Sequence, residues 1–504
     1  MRASAERIAP GCTLARIRAI ATSQPLDRLS MILAVTGIAL LALRRWMLVG
    51  PYPPGLDGAQ WLALGRGLHG FGRSTDGAYA PLAPILAAIA ESIAGPIFGI
   101  RLLAALSGLA VSLVVWFVAR DALGPFWGLA ITAIVIPASA LVEPVLFGGY
   151  PQQLALAAGV LALWASCRYL VAGDRGRLLM AGIAALIAAG AHHVYFPVFA
   201  LSMLVAVGLW FSIRGSRDHL MRTSALALAL VPAFALSTAV LFAFKNAGYS
   251  PPLDASARSF VGAWEYGARE SPALWLLILL SGTVSLAALR RSREDPAWLL
   301  SASLLLSAGL LFLISGQPRL LPAVIIGAGL AAGLGARRLS AIGPQARAAT
   351  ALLVVVVAAM LIVPADRAAS RFADFYRVVD ESLVQAAAAI EADGGSGAVA
   401  VRQDRRDWPI GWWFEAMLQQ PVIVGADPRW LAFPDEWEHA RQAEALFDGG
   451  LDANGFRQRA AAAGVRYLVI AKWDWIGWER WITTPGFPVS ELYDDDRYLV
   501  LRVT

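Results

Sequence analysis

Eleven apolar stretches decide what this chain can become. They lie near residues 29–49, 101–120, 125–144, 153–171, 178–192, 194–212, 223–244, 272–289, 297–314, 319–336 and 348–364. A helix needs about 17–25 apolar residues to cross a bilayer. Lipid offers no partner to a stray backbone group, so only helices and closed barrels cross it. Stretches of this length point to helices. Charged residues make up 15% of the 504 residues, well under the roughly 25% of soluble domains. We therefore expect a polytopic α-helical membrane domain of about eleven spans over 29–364, behind a short tail at 1–28.

The net charge of +6 comes almost wholly from arginine. Much of that excess sits in short connectors, where the positive-inside rule explains it without a nucleic-acid partner. The N-terminal tail, Arg120, Arg175 and Arg177, Arg214, Arg217 and Arg222, Arg290, Arg291 and Arg293, and Arg337, Arg338 and Arg347 fall on one side by this count. That side is expected to be the cytoplasm, which makes the chain a multi-pass protein of the cell (inner) membrane. Arg44 and Arg45 break the pattern, and snorkelling to the far headgroups is the plain explanation. The basic tail resembles a signal-peptide n-region. The run after it ends in Arg44, Arg45 and Trp46 with no small-residue cleavage site, so we read an uncleaved helix. Cys12 and Cys167 match neither a disulfide framework nor a metal knuckle and read as free thiols.

The same count sends the chemistry to the other face. The first outer loop, 50–100, opens with PYPPGLDGAQWLALGRGLHGFGRSTDGAYAPLAP, too polar for lipid and too rich in Pro and Gly for one helix. It holds Asp57 and Asp76 among Trp61, Arg66, His69, Arg73 and Tyr79. A connector this long is usually functional. Its end, 81–98, reads as a half-embedded helix, because a full crossing would invert every later segment. Also on this face fall Glu143, Tyr150, Gln152, His192, His193, Lys245, the loop 246–271, Arg319 and all residues after about 365. The tail 365–504 alternates helical and strand patterns, with strands at 398–401, 421–424, 464–471 and 497–503. That predicts a small extracytoplasmic α/β domain. Nine of the eighteen Trp lie in it, suited to glycan stacking, a membrane-facing surface or an ordinary core.

In order along the chain, GLDGAQWLALGRGL, YAPLAP with its following span, LFGGYPQQLALA, GAHHVYFPV and QPRLLPAVIIGAG resemble the GT-C superfamily of integral-membrane glycosyltransferases. Protein mannosyltransferases and the aminoarabinose transferase of lipid A belong to that group. The resemblance covers about 29–364 and, more loosely, the outward domain. It implies inverting transfer of a sugar from a polyprenyl-phosphate donor to a glycan, lipid or protein acceptor outside the cytoplasm. Asp57 matches the family's first-loop acid and would be the catalytic base. Asp76 would orient the acceptor or hold a divalent ion, and Glu143 could take either role. Arg319 and Lys245 would face the donor phosphate, where a cation offsets the charge of the leaving group. Tyr150, Gln152, His192 and His193 would contact substrate. The resemblance makes no cofactor certain; Mg or Mn at the outer-loop carboxylates stands as one option. Relatives often pair two acids here, whereas Gly58 follows Asp57.

Each residue has a plainer reading beside this one. Asp57 could cap the helix that follows it, and Asp76-Gly77 could be a turn. The histidines could simply bond at a helix turn, and Arg319 could anchor at headgroups. Glu91 reads as structural. Two other functions fit the layout. One is a transporter or flippase for lipid-linked envelope precursors, although neither repeated halves nor midplane breaks are evident. The other is a non-catalytic assembly protein whose Trp-rich domain binds glycan.

Overall fold

Glycine and proline cut the apolar sequence into helices at joint after joint. Gly95, Gly124, Gly149, Ser271, Asp295 and Gly343 each precede a helix with Pro in its first turn, where the missing N–H costs nothing. The computed structural model describes residues 10–67, 79–212, 217–250, 260–290, 295–404, 406–472 and 477–504. In order, the helices of the first part are α1 (Pro10–Val49), α2 (Asp57–Gly67), α3 (Leu82–Ala94), α4 (Pro96–Leu123), α5 (Pro125–Val135), α6 (Ser139–Phe147) and α7 (Tyr150–Ala172). Then come α8 (Arg175–Ala191), α9 (Tyr195–Phe211), α10 (Arg217–Asn246), α11 (Phe260–Gly267), α12 (Pro272–Ala288), α13 (Pro296–Ser315), α14 (Leu321–Ser340) and α15 (Pro344–Phe375).

Every apolar stretch falls on helix. The count of eleven spans is not reached by length and composition. Among the described residues seven helices are long and apolar enough to cross, or nine if the bent pairs α5–α6 and α11–α12 each count as one. The shortfall includes the helices either side of His192–His193. Both α8 and α9 have 17 residues, about 25 Å of helix against a hydrocarbon layer of about 30 Å. Helix α3 has 13 residues, too short to cross. The last span does not stop at 364, since α15 continues through Pro364 to Phe375.

At one end of the bundle the arginine-bearing joints gather. Arg177 lies 3.6 Å from Asp121, Arg222 donates to the carbonyls of Leu170 and Val171, and Arg337 donates to that of Ala122. Arg45 does not snorkel, and Arg44 has a protein partner. Arg44 pairs with Asp366 at 2.7 Å and donates to Ser370. Arg45 is buried, donating to Ser112 and to the carbonyls of Gly108 and Ile136. Neutral carbonyls there replace the headgroups that snorkelling would have reached. Cys167 is a buried free thiol.

The C-terminal part comprises α16 (Glu381–Asp393), β1 (Ala398–Val401), α17 (Gly411–Met417), β2 (Val422–Val424), α18 (Pro434–Leu446), α19 (Ala453–Ala462), β3 (Val465–Ala471), α20 (Glu479–Thr483), β4 (Val489–Asp494) and β5 (Tyr498–Val503). The sheet runs β2-β1-β3-β5-β4, parallel across its first three strands and antiparallel after them. Strand alternation divides its side chains between two cores. Ala400, Ile423, Leu468 and Ile470 face Phe456 and Trp481. Val399, Val401, Tyr467 and Val469 share a core with Trp413 and Phe414 and also with Ala59 and Leu62 of α2 and Tyr150 of α7. The first-loop helix is therefore wedged between bundle and sheet. Arg66 fastens it further, pairing with Glu91 at 2.7 Å and donating to the Leu418 carbonyl.

Two glycine turns meet at this seam. A Cβ on Gly148, whose φ is +104°, would sit 2.4 Å from the Gly58 nitrogen, and one on Gly55 would sit 2.3 Å from the Phe147 carbonyl. Gly394 shares the left-handed conformation with open space around it. Gly148→Ala should therefore lower the thermal midpoint well beyond Gly394→Ala. The latter costs about 1–2 kcal/mol from backbone conformation alone; equal shifts in a melting assay would contradict the packing.

Candidate active site

One cavity of about 390 Å³ collects the joints at the end of the bundle opposite the arginine-rich turns. Asp57, the first residue of α2, enters it beside Gln60 and Trp61. Glu143 and Phe147 come from α6, and Gln152 from the first turn of α7. His192 and His193 come from the α8–α9 joint, and Phe244 from the end of α10. Tyr266 arrives on α11, and Arg319 on the 3-10 turn between α13 and α14. Trp412, Trp430, Ala432 and Glu436 of the C-terminal part complete the wall.

Sequence reasoning placed six of these residues on one face: Asp57, Glu143, Gln152, His192, His193 and Arg319. All six line the cavity. Two others do not. Lys245 is exposed outside it, because its neighbour Phe244 takes the inward position on α10 and one residue turns a helix by about 100°. Tyr150 is fully buried behind the wall, its hydroxyl 3.1 Å from where a Cβ on Gly58 would sit. Asp76, His69 and Arg73 lie outside the described residues, as do Trp473 and Trp475. Of the described C-terminal Trp, 408, 412, 413 and 481 are buried, so most of that aromatic content is core. Among the described C-terminal Trp, 412 and 430 reach the cavity.

Geometry differentiates the polar groups. Burial pushes the Asp57 carboxyl up to about 7, while Arg319 opposes that rise. The Arg319 guanidinium makes no hydrogen bond or ion pair with a described residue; its backbone carbonyl accepts the Tyr195 hydroxyl. It is a cation left available to a ligand. Glu143 is committed elsewhere, accepting the hydroxyls of Tyr266 and, at 2.8 Å, Tyr376. Gln152 donates to the Tyr195 hydroxyl at 2.8 Å. His192 and His193 stack with ring centres 4.8 Å apart and planes 7° off parallel. Burial and Arg319 hold both below the ordinary histidine range, His193 at about 4 and His192 with its partner ring adding to the effect. They are neutral hydrogen-bonding groups, not phosphate-binding cations.

Glu436 and Gln60 escaped the sequence reading. Glu436 is buried and accepts the backbone N–H groups of Ala432 and Phe433 at 2.9 and 3.1 Å. Gln60 donates to Tyr79 at 3.1 Å and to Glu436 at 3.4 Å. Glu436 sits in an ordinary acidic helix start, which carries no signal of a cavity. Among the described residues no three His, Cys, Asp or Glu side chains gather to hold a metal ion. Of the outer-loop carboxylates offered to Mg or Mn, Asp76 lies outside the described residues.

No protein-family model and no curated protein matches the sequence. Solved structures do match. ArnT from Cupriavidus metallidurans, bound to undecaprenyl phosphate, is similar at a TM-score of 0.58 and 15% identity, over 93% of this chain and 97% of that one. The oligosaccharyltransferase of Archaeoglobus fulgidus is similar at 0.60 and 12%, over 87% of this chain and 69% of that one. Arabinofuranosyltransferase AftD from Mycobacteria is similar at 0.57 and 16%, over 93% of this chain and 40% of that one. All are GT-C membrane glycosyltransferases. The chain has the GT-C fold, as the order of its motifs implied.

Titration of Asp57, followed by difference infrared spectroscopy against Asp57→Asn, should show a midpoint near 7. Arg319 lowers that midpoint, so Arg319→Gln should move it upward. A midpoint in the ordinary carboxylate range near 4, or one indifferent to Arg319, would contradict this geometry.

Proposed function

We propose that the chain is a membrane glycosyltransferase that moves a sugar from a polyprenyl-phosphate donor to an envelope acceptor on the non-cytoplasmic face. The observation that carries this reading is the placement around one cavity of a half-buried carboxyl poised near neutrality and an arginine whose guanidinium makes no hydrogen bond or ion pair with a described residue. Transfer from a lipid phosphate needs those two groups. The acceptor hydroxyl must lose a proton as it attacks, and a base works best when its pKa lies near the operating pH. The departing phosphate gains negative charge, and a guanidinium fits its oxygens through forked hydrogen bonds.

In this account Asp57 takes the acceptor proton while Arg319 receives the phosphate charge on another wall. Attack and departure on opposite sides of the anomeric carbon give inversion. Neutral His192 and His193, with Gln152, bind sugar or acceptor hydroxyls. Trp412 and Trp430 offer ring faces to a sugar. Glu143 acts through Tyr266 and Tyr376 as a positioning residue. The C-terminal domain closes the cavity from outside and, with the arginine-rich joints taken as cytoplasmic, lies beyond the membrane. The likeness to ArnT, whose structure holds undecaprenyl phosphate, supports a polyprenyl donor. The cavity lies at one end of the bundle and is closed by the C-terminal domain, which suits reaction at a surface better than passage through it. That weighs against the transporter reading.

Purified protein incubated with synthetic polyprenyl-phosphate mannose, glucose, arabinose and aminoarabinose should release free lipid phosphate from one of them when acceptor is present. Asp57→Asn should cut that rate by about 10²–10⁴, the usual span for a general base. Release from none of the donors, or an undiminished rate in the variant, would overturn the assignment.

A further inference from the structure

The positive-inside rule explains arginines at the far end of the bundle but leaves those at the cavity end without a reason. Several of them have local partners. Arg44 is paired with Asp366, and Arg377 donates to the Leu48 carbonyl. Three others converge on a separate pocket of about 230 Å³, lined by Arg269, Glu270, Pro364, Arg367, Ala368, Arg371 and Phe372. Arg367 and Arg371 make no hydrogen bond or ion pair with a described residue. Arg269 stacks over the rings of Tyr266 and Phe372 at 4.1 and 4.9 Å.

Glu270 lines the same pocket but forms no ion pair with these three arginines. It is buried and accepts from Ser139 through backbone and hydroxyl and from the Trp275 indole. Arg367 and Arg371 stand one helical turn apart, a mildly unfavourable arrangement of like charges that a shared anion would relieve. Below them α15 exposes Leu352, Val355, Met360 and Val363. The helix thus presents an apolar run that ends in cations, the order of groups met along a lipid from tail to headgroup. Tyr266 connects the pocket to the cavity, stacking on Arg269 at one side and donating to Glu143 at the other.

From this arrangement we infer a second lipid-phosphate site, made by Arg269, Arg367 and Arg371, that holds a polyprenyl phosphate monoester at headgroup depth beside the catalytic cavity. The inference rests on the glycosyltransferase reading and adds a waiting place for the lipid before or after reaction. A monoester carries up to two charges and three terminal oxygens, which three guanidiniums can share. Ordinary phospholipid diesters carry one charge and suit the site less well.

The test uses full-length protein in phosphatidylcholine nanodiscs, with undecaprenyl phosphate as the probe and native mass spectrometry as the readout. Binding is measured in an Arg319→Gln background, so that the cavity contributes little. Adding R367Q and R371Q together should weaken binding about 25-fold, at about fivefold for each cation lost near a membrane surface. R367K with R371K should restore most of it, which shows that the effect is not misfolding. Unchanged affinity in the Gln pair would overturn the inference, and if the Arg319-intact protein still releases lipid phosphate from a donor, the catalytic reading survives. Equal competition by phosphatidylglycerol would make the pocket a general headgroup anchor and overturn the monoester assignment. Equal competition by inorganic phosphate would remove the lipid from it. Failure of undecaprenyl phosphate to bind at all, with no donor turned over by the Arg319-intact protein, would remove both readings.

Discussion

The close approach of two glycine turns holds this structure together. Residues 53–58 and 147–151 pass so near each other that neither Gly55 nor Gly148 has space for a side chain. Two indoles fasten the crossing: Trp61 donates to the Gly148 carbonyl at 2.6 Å, and Trp413 donates to that of Gly55 at 3.0 Å. One of those tryptophans belongs to the first loop and the other to the C-terminal domain. The crossing therefore joins three parts of the chain far apart in sequence. Its outcome is to place Asp57 at the cavity edge with Glu143 and Gln152 close by. Without it the loop would be a tether between spans and not a wall.

What the cavity can do follows from the setting of Asp57, half-buried at its edge. Burial raises its carboxyl toward neutrality, and Arg319 works against that. The same burial keeps the two histidines uncharged. Among the described residues the site thus sets the Arg319 cation, free of ion pairs, beside a proton acceptor of moderate strength, in aromatic surroundings. Glu143, which the sequence offered for orienting the acceptor or holding a divalent ion, is occupied by two tyrosine hydroxyls. It holds Tyr266 and Tyr376, and Tyr266 in turn stacks under Arg269.

Much of this was legible because helix ends are legible. Apolar length and arginine placement sort the joints into two faces, and six polar residues on one face do share a cavity. Direction around each helix is a different matter. Lys245 and Phe244 are neighbours, and hydropathy does not say which turns inward. Tyr150 sits beside Gln152 in the same motif yet is core, because Gly58 packs over it. Gln60 and Glu436 meet across 376 residues of sequence, a distance no local pattern encodes. Arg45 shows the opposite error, and Arg44 has a protein partner besides. A rule about membranes explained them too easily, whereas a paired carboxylate and a set of buried carbonyls are what they contact.

The central claim is that sugar transfer takes place between Asp57 and Arg319. Cryo-electron microscopy of the Asp57→Asn variant with a lipid-linked sugar it can bind but not use tests this most directly. The account predicts phosphate density within hydrogen-bond reach of Arg319, about 3 Å, and the sugar between it and position 57. Phosphate bound away from Arg319, or a sugar outside the cavity, would contradict it.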